Sequence, residues 1–235
     1  MIYDTMLNGD FMYITKIIYE EKEKLFKLVF DDDSSILINE NTLIKCNIYK
    51  DKEIDEKELN EIIEENKVYE ATEKALKFLR KLRTKKEISD HLKEDGLDFE
   101  IINRVLKYLE EFNYIDDHQY ASSFIGDKLR INRYGPEKIK YLLLNKGVSS
   151  EIINLSLEEV EDDLIKENFL KDAQIKYNKV YSTKNDYEKT VKYLLSKGYS
   201  LDYVMKNIGE IIKWVFMYIY LNAAIKAYTQ AILLI

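Results

Sequence analysis

From residue 56 onward, apolar positions recur mostly at the three-and-four spacing of helices that bury one face. The clearest pattern lies in Leu92 to Leu106, LKEDGLDFEIINRVL, because it returns. Fifty-one residues later Leu143 to Leu157 reads LLNKGVSSEIINLSL, and 51 later again Leu194 to Ile208 reads LLSKGYSLDYVMKNI. Gly96, Gly147 and Gly198 coincide, each followed by an apolar residue and then by Asp98, Ser149 or Ser200. Glycine just past an apolar segment caps a helix C-terminus, and Asp or Ser two residues on caps the next N-terminus. Each copy therefore predicts helix, tight turn, helix. The roughly 35 residues before the next glycine leave room for one more helix, and self-similarity at a fixed period marks a repeat architecture.

The start of the chain follows a different period. MYITKIIY and LFKLVF are β-branched and aromatic and predict strands, with the charged stretch Glu20 to Lys24 as a hairpin loop between them. Asp31-Asp32-Asp33-Ser34 predicts a turn before a short strand near Ser35 to Ile38; its spacing lacks the ligand alternation of a calcium loop. Residues 41–49 read as either a short helix or a strand. Asp55 caps an acidic helical stretch whose apolar spacing breaks near Asn66, which predicts two helices with a joint there. Further on, Thr84 to Glu87 is a capping box, Asp116 or Asp117 an N-cap, and Pro136 a first helical residue. The segment starting at Thr183 predicts the third repeat's middle helix.

These elements place the chain in the mainly α class. Three tandem three-helix, helix-turn-helix-like repeats form an elongated curved array behind a small N-terminal β-containing module. The expected boundaries are 1–55 for that module, 56–69 for an acidic linking helix, 70–113, 114–160 and 161–212 for the repeats, and 213–235 for an apolar tail. The tail, from Trp214 to Ile235, has the length of a membrane span, but Asn222, Lys226 and Gln230 interrupt it. It reads as an anchor, as a helix packed on the third repeat or another subunit, or as sequence foreign to the domain, such as a shifted reading frame. The lysine weighs against the anchor.

Charge adds one asymmetry. The net −7 divides into −9 over residues 1–70, +2 over 71–155 and zero over 156–235. All five arginines (Arg80, Arg83, Arg104, Arg130 and Arg133) lie in the middle segment. The overall sign argues against a protein that coats nucleic acid by charge alone. A single cysteine, Cys46, rules out an intramolecular disulfide framework and any multi-cysteine zinc site, and fits a reducing compartment. Met1 to Asp10 is polar and acidic, unlike a secretory leader.

No catalytic constellation stands out. There is no phosphate-binding glycine loop, no HExxH and no GxSxG. His91 falls on an apolar face and reads as a core histidine, His118 follows a cap and reads as exposed, and Cys46 has no local activating partner. No cofactor and no small-molecule substrate are expected. What remains is basic. Arg80, Lys81, Arg83, Lys85 and Lys86 cluster at the turn into the first repeat's middle helix. Arg130 and Arg133 occupy the corresponding turn of the second, followed by Lys138, Lys140 and Lys146. Equivalent turns in a repeat array would align these charges into a band.

Here the residues carry a resemblance. KLRTKKEISDHL, YIDDHQYASSFI and YGPEKIKYLLLNKGVSSEII resemble the RecX family, regulators of the RecA recombinase. A basic-x-Arg-Ser/Thr-x-x-Glu turn is matched by Lys81, Arg83, Thr84 and Glu87. An aspartate–aromatic–alanine step is matched by Asp117, Tyr120 and Ala121. A glycine before the second repeat's middle helix and a Lys-Gly-aliphatic at its end are matched by Gly135, Lys146, Gly147 and Val148. The β segment followed by KEIDEKELNEIIEE is similar to the longer, Gram-positive-type members. The resemblance covers roughly residues 12–212, and the tail departs from it.

The resemblance implies a non-enzymatic, cytoplasmic modulator. It would bind RecA and lie in the groove of the RecA–single-stranded DNA filament, with weak direct contact to DNA. It would hinder filament growth and so damp strand exchange, ATP hydrolysis and the co-protease activity behind the SOS response. The ten basic residues named above are the expected partner-binding set. The rival reading is a helix-turn-helix DNA-binding regulator, since a three-helix unit with a tight turn has that motif's shape.

Overall fold

The structure, a computed structural model, describes residues 11–178 and 184–210. The apolar tail and the first ten residues lie outside the described residues, as does Thr183. The chain divides into two compact units, 1–115 and 116–235.

In the first unit a four-stranded antiparallel sheet runs in the order β3-β2-β1-β4, with β1 Met12–Glu20, β2 Leu25–Phe30, β3 Ser35–Ile38 and β4 Glu53–Ile54. The expected hairpin and Asp-rich turn are present. Lys24 N–H bonds to the Glu20 carbonyl at 2.8 Å, and Asp32 Oδ1 accepts the Ser34 N–H at 2.9 Å. The Ser34 side chain first, and then this backbone N–H, hold the Asp32 carboxyl below its ordinary range. A bulge breaks the β1–β2 register between Ile14 and Lys16. The Thr15 hydroxyl fills it, donating to the Val29 carbonyl at 3.0 Å.

The ambiguous stretch after β3 is a helix, α1 Glu40–Lys45, capped by Asn39. Helix α2, Glu56–Phe78, then runs unbroken past Asn66, where the apolar spacing predicted a joint. The reason is a change of partner along one helix. Leu59 and Ile62 pack under the sheet with Ile14, Leu28 and Phe30, whereas Ala71 and Ala75 pack in the three-helix core. Asn66 sits at the crossover, buried. Its Oδ1 accepts both the backbone N–H and the Nδ2 of Asn39, at 2.9 and 2.6 Å, and its Nδ2 donates to Glu70. A polar residue on this stripe is tolerated because it ties down the start of α1.

Helices α3, Lys85–Glu94, and α4, Phe99–Glu111, complete this core through Ile88, Leu92, Ile102, Val105 and Leu109. Thr84, fully buried, forms the expected capping box with Glu87. Asp98 occupies the N-cap of α4 without a side-chain bond to the helix.

The second unit holds two further three-helix cores. The first is built from α5 Asp117–Asp127, α6 Pro136–Asn145 and α7 Ser150–Glu158, around Ile125, Leu129, Ile139, Leu143 and Ile153. Asp116 caps α5, accepting from His118 and Gln119. A π-helical turn, Lys128–Asn132, follows α5 and ends in Arg133, whose φ is +50°. The other core comprises α8 Asp162–Asn178, α9 Lys184–Lys197 and the helical residues 201–210, around Phe169, Ala173, Leu194 and Val204.

These two cores meet through backbone. The Gly135 N–H donates to the Lys197 carbonyl at 2.8 Å, and the Glu137 N–H donates to the Gly198 carbonyl at 3.0 Å. A methyl at Gly198, where φ is +96°, would lie 2.2 Å from Lys138 Cβ; one at Gly135 would lie 2.4 Å from the Gly198 carbonyl carbon. Gly96 takes the same left-handed conformation in open space. Gly198→Ala should therefore cost about 3 kcal/mol or more and Gly96→Ala about 1, since only the first adds a collision to backbone strain. Amide hydrogen exchange in α6 and α9 tests this. Comparable acceleration by the two variants would contradict it.

Candidate partner-binding surfaces

The basic turn of the first unit follows the end of α2. Arg80 and Lys81 are exposed, and neither has an ion-pair partner among the described residues. Lys85 and Lys86 are paired at the surface, Lys85 with Glu110 at 2.6 Å and Lys86 with Asp90 at 2.6 Å. The second bond holds the Asp90 carboxyl below its usual range. Exposed pairs of this kind add little and yield readily to a competing anion.

Arg83 is held differently. Its guanidinium carbon lies 4.5 Å from the centre of the Phe78 ring, and Phe78 stacks on His91 at 4.2 Å with an interplanar angle of 19°. The expected core histidine is thus the half-buried base of a cation–aromatic stack. The Nε of Arg83 is buried without a hydrogen-bond partner. A guanidinium fixed on an aromatic face has lost much of its conformational freedom before it meets a ligand, which suits bidentate contact with a carboxylate or phosphate. The fifth arginine, Arg104, pairs with Glu65 beside a cleft of about 540 Å³ that Lys45, Tyr69, Tyr108 and Tyr114 also line.

The second unit's basic residues divide. Arg130 is exposed on the π-helical turn beside a cavity of about 350 Å³ that also includes Ser122, Ser156 and Glu159. Lys138 lies 4.2 Å over the Tyr134 ring, Lys140 donates to Asn154 at 3.1 Å, and Lys146 lies 5.7 Å over Tyr120. Arg133 turns inward. Its Nε donates to Oδ1 of Asp172 at 2.7 Å, which raises the guanidinium pKa further. Asp172 is fully buried on α8, and Lys197 Nζ lies 3.0 Å from its Oδ2 while directing a hydrogen bond to the Asn132 carbonyl at 2.8 Å. Asn168 donates to the Leu129 carbonyl, and the Tyr199 hydroxyl lies 3.5 Å from the Arg133 carbonyl. Burial pushes the Tyr199 hydroxyl pKa well up. One signal for this junction was present in the sequence. Asp172 stands between Phe169 and Ala173 on the inner face of α8, where a carboxylate needs a cation.

The remaining candidates are quiet. His118 pairs with Glu159 at 3.3 Å, and burial raises the Cys46 thiol. The last helices of the first two cores present Glu100, Asn103, Arg104 and Lys107 on α4 and Glu151, Asn154 and Glu158 on α7. Arg104 is engaged by Glu65 and the other positions mix acidic residues with single amides, so neither face offers a row of Arg, Asn and Gln to read base edges. Among the described residues, no helix is long and apolar enough to cross a membrane.

Residues 116–157 match the family model described as RecX, second three-helix domain. The chain is 32% identical over 209 residues to regulatory protein RecX of Clostridium botulinum Alaska E43, covering 86% of this chain and 98% of that one. It is 33% identical over 213 residues to regulatory protein RecX of Clostridium acetobutylicum, with 86% and 96% covered. A crystal structure of regulatory protein RecX superposes with a TM-score of 0.74 at 25% identity, over 83% of this chain and 97% of that one. A crystal structure of RecX from Lactobacillus salivarius gives 0.59 at 28%, over 62% and 96%.

Removing the anion from the Arg133–Asp172–Lys197 cluster should be worse than removing a cation with it. Asp172→Ala leaves two cations facing a buried gap and should destabilise the second unit by about 3–5 kcal/mol. Adding Arg133→Met should recover part of that loss. A double-mutant cycle in urea checks this, and strict additivity would contradict it.

Proposed function

The chain belongs to the RecX family, and from that premise we propose that it regulates RecA by binding the RecA filament on single-stranded DNA and opposing its growth. Damped strand exchange, ATP hydrolysis and co-protease activity follow, because each depends on an extended filament. The chain acts by binding, without a reaction of its own, in the reducing cytoplasm where a recombinase works. The observation that carries this reading is the Arg83–Phe78–His91 stack. It presents a preorganised guanidinium amid Arg80, Lys81, Lys85 and Lys86, on the turn that matches the family's basic motif.

The anion that this turn meets is a DNA phosphate or an acidic RecA side chain; both suit a rigid guanidinium fork. Lys85 and Lys86 can exchange weak surface pairs for that anion at small cost. In the second unit Arg130, Lys138, Lys140 and Lys146 can add contacts, while Arg133 stabilises the fold. Several modest contacts on one chain combine through effective concentration, so a filament of repeated subunits is held far better than a single subunit.

The test is binding to RecA filaments, measured by co-sedimentation on single-stranded DNA, with naked DNA as control. Reversing charge at Arg83, Lys85 and Lys86 together should weaken filament binding by about tenfold or more, or about 1.4 kcal/mol. Arg83→Lys alone should recover only part of the Arg83→Glu loss, because it keeps the charge and loses the planar fork. Full binding by the triple variant would overturn the assignment. Equal affinity for naked DNA and filament would favour a DNA-binding regulator instead.

A further inference from the structure

Among the described residues, strand β1 is covered on its outer side only at its beginning. β4 pairs with Met12 and Tyr13. The following turn reaches Ile14, whose N–H donates to the Lys52 carbonyl at 3.0 Å and whose carbonyl accepts the Asp51 N–H at 2.8 Å. Beyond Ile14, no described residue bonds to this edge. An open strand edge is a template for another strand.

Which backbone groups face outward follows from the hairpin. The Glu20 carbonyl accepts from Lys24 across the loop, and Glu20 stands opposite Leu25 in the register. Alternation then turns the backbone of Glu20, Ile18 and Lys16 toward β2, and that of Ile17 and Tyr19 outward. The bulge at Thr15 makes this parity consistent with the outward bonds of Ile14. The side chains on the open stretch are unusually bare for a strand: Ile18 is 43% exposed and Tyr19 51%.

The order of residues there is self-complementary. In Lys16-Ile17-Ile18-Tyr19-Glu20, an antiparallel copy centred on Ile18 sets Lys16 against Glu20, Ile17 against Tyr19 and Ile18 against itself. The outward groups of Ile17 and Tyr19 fall opposite one another, as the hydrogen-bonded pairs of such a ladder require, and Ile18 occupies the closer, non-hydrogen-bonded site. Lys16 and Glu20 have no ion-pair partner among the described residues. Like charges at these two positions would repel a second copy. Opposite charges placed symmetrically about Ile18 admit one in a single register.

We propose that the outer edge of β1, Lys16 to Glu20, pairs with the same edge of a second copy of this chain, joining two sheets through a two-fold axis at Ile18. Tyr19, which lies beside Phe26 with ring centres 5.1 Å apart, gains the Ile17 of the second copy as a neighbour. On the opposite face the two Ile18 side chains meet, with a Lys16–Glu20 pair on either side. Five residues make a weak contact by themselves, so the dimer forms where chains are concentrated, for example when several are held on one extended partner.

Single cysteines in the full chain carrying Cys46→Ser test the register. Under mild oxidation Ile18→Cys should form an interchain disulfide at least about tenfold faster than Lys16→Cys or Tyr19→Cys, because only position 18 meets itself within disulfide reach. Adding Lys16→Glu should slow cross-linking at 18 about tenfold, and adding Glu20→Lys to that variant should restore it, since the pair is then reversed but intact. Circular dichroism checks that each variant is folded. No cross-link at 18 at high protein concentration, equal rates at the three positions, or indifference to the charge changes would each overturn the proposal.

Discussion

A carboxylate with no access to water must find cations, and Asp172 finds two. Around that need the second unit is arranged. Arg133 comes from the left-handed residue that ends the π-helical turn, and Lys197 from the last turn of α9. Both can reach Asp172 only because Gly135 and Gly198 let the two backbones approach closely. The hydrogen bonds of Gly135 to Lys197 and of Glu137 to Gly198 fix the same junction. An ion cluster of this kind need not add much stability over apolar packing, but it punishes any arrangement that leaves one member unpaired. Two similar three-helix cores thereby gain one preferred docking, which apolar contacts alone would specify poorly.

The junction also decides how the arginines are read. Sequence places Arg83 and Arg133 at equivalent turns and invites one role for both. Their surroundings separate them. Phe78 and His91 lie under Arg83 and contribute no anion, so its guanidinium stays available. Asp172 reaches Arg133 from a later helix and takes it for the fold. Under the proposed function, partner contact therefore concentrates at the first unit's turn, next to a region where Asp55 caps α2 and Glu58 and Glu65 are held in ion pairs.

Local signals were the legible ones. The Thr84–Glu87 capping box, the Asp116 and Ser149 caps, Pro136 at a helix start and the left-handed glycines depend on a few neighbouring residues, and each could be read from them. What misled was periodicity that changes because the partner changes. The apolar stripe of α2 shifts from sheet to helices at Asn66, and a shift of face resembles a break. What was missed depended on pairing over distance. Asp172 meets Arg133 39 residues away, and Gly198 meets Gly135 across 63 positions of chain. No local window contains such pairs, although a carboxylate on an apolar face asks for one. The π-helical turn that carries Arg130 left no trace in composition or spacing.

The central claim is that this chain acts on RecA through filament binding. Its most direct test is RecA ATP hydrolysis on single-stranded DNA, titrated with the full chain at fixed salt. The account predicts progressive inhibition at fewer than one chain per RecA, because each bound chain contacts several subunits and blocks extension. Hydrolysis that stays unchanged at equimolar chain, with the protein shown to be folded, would contradict it.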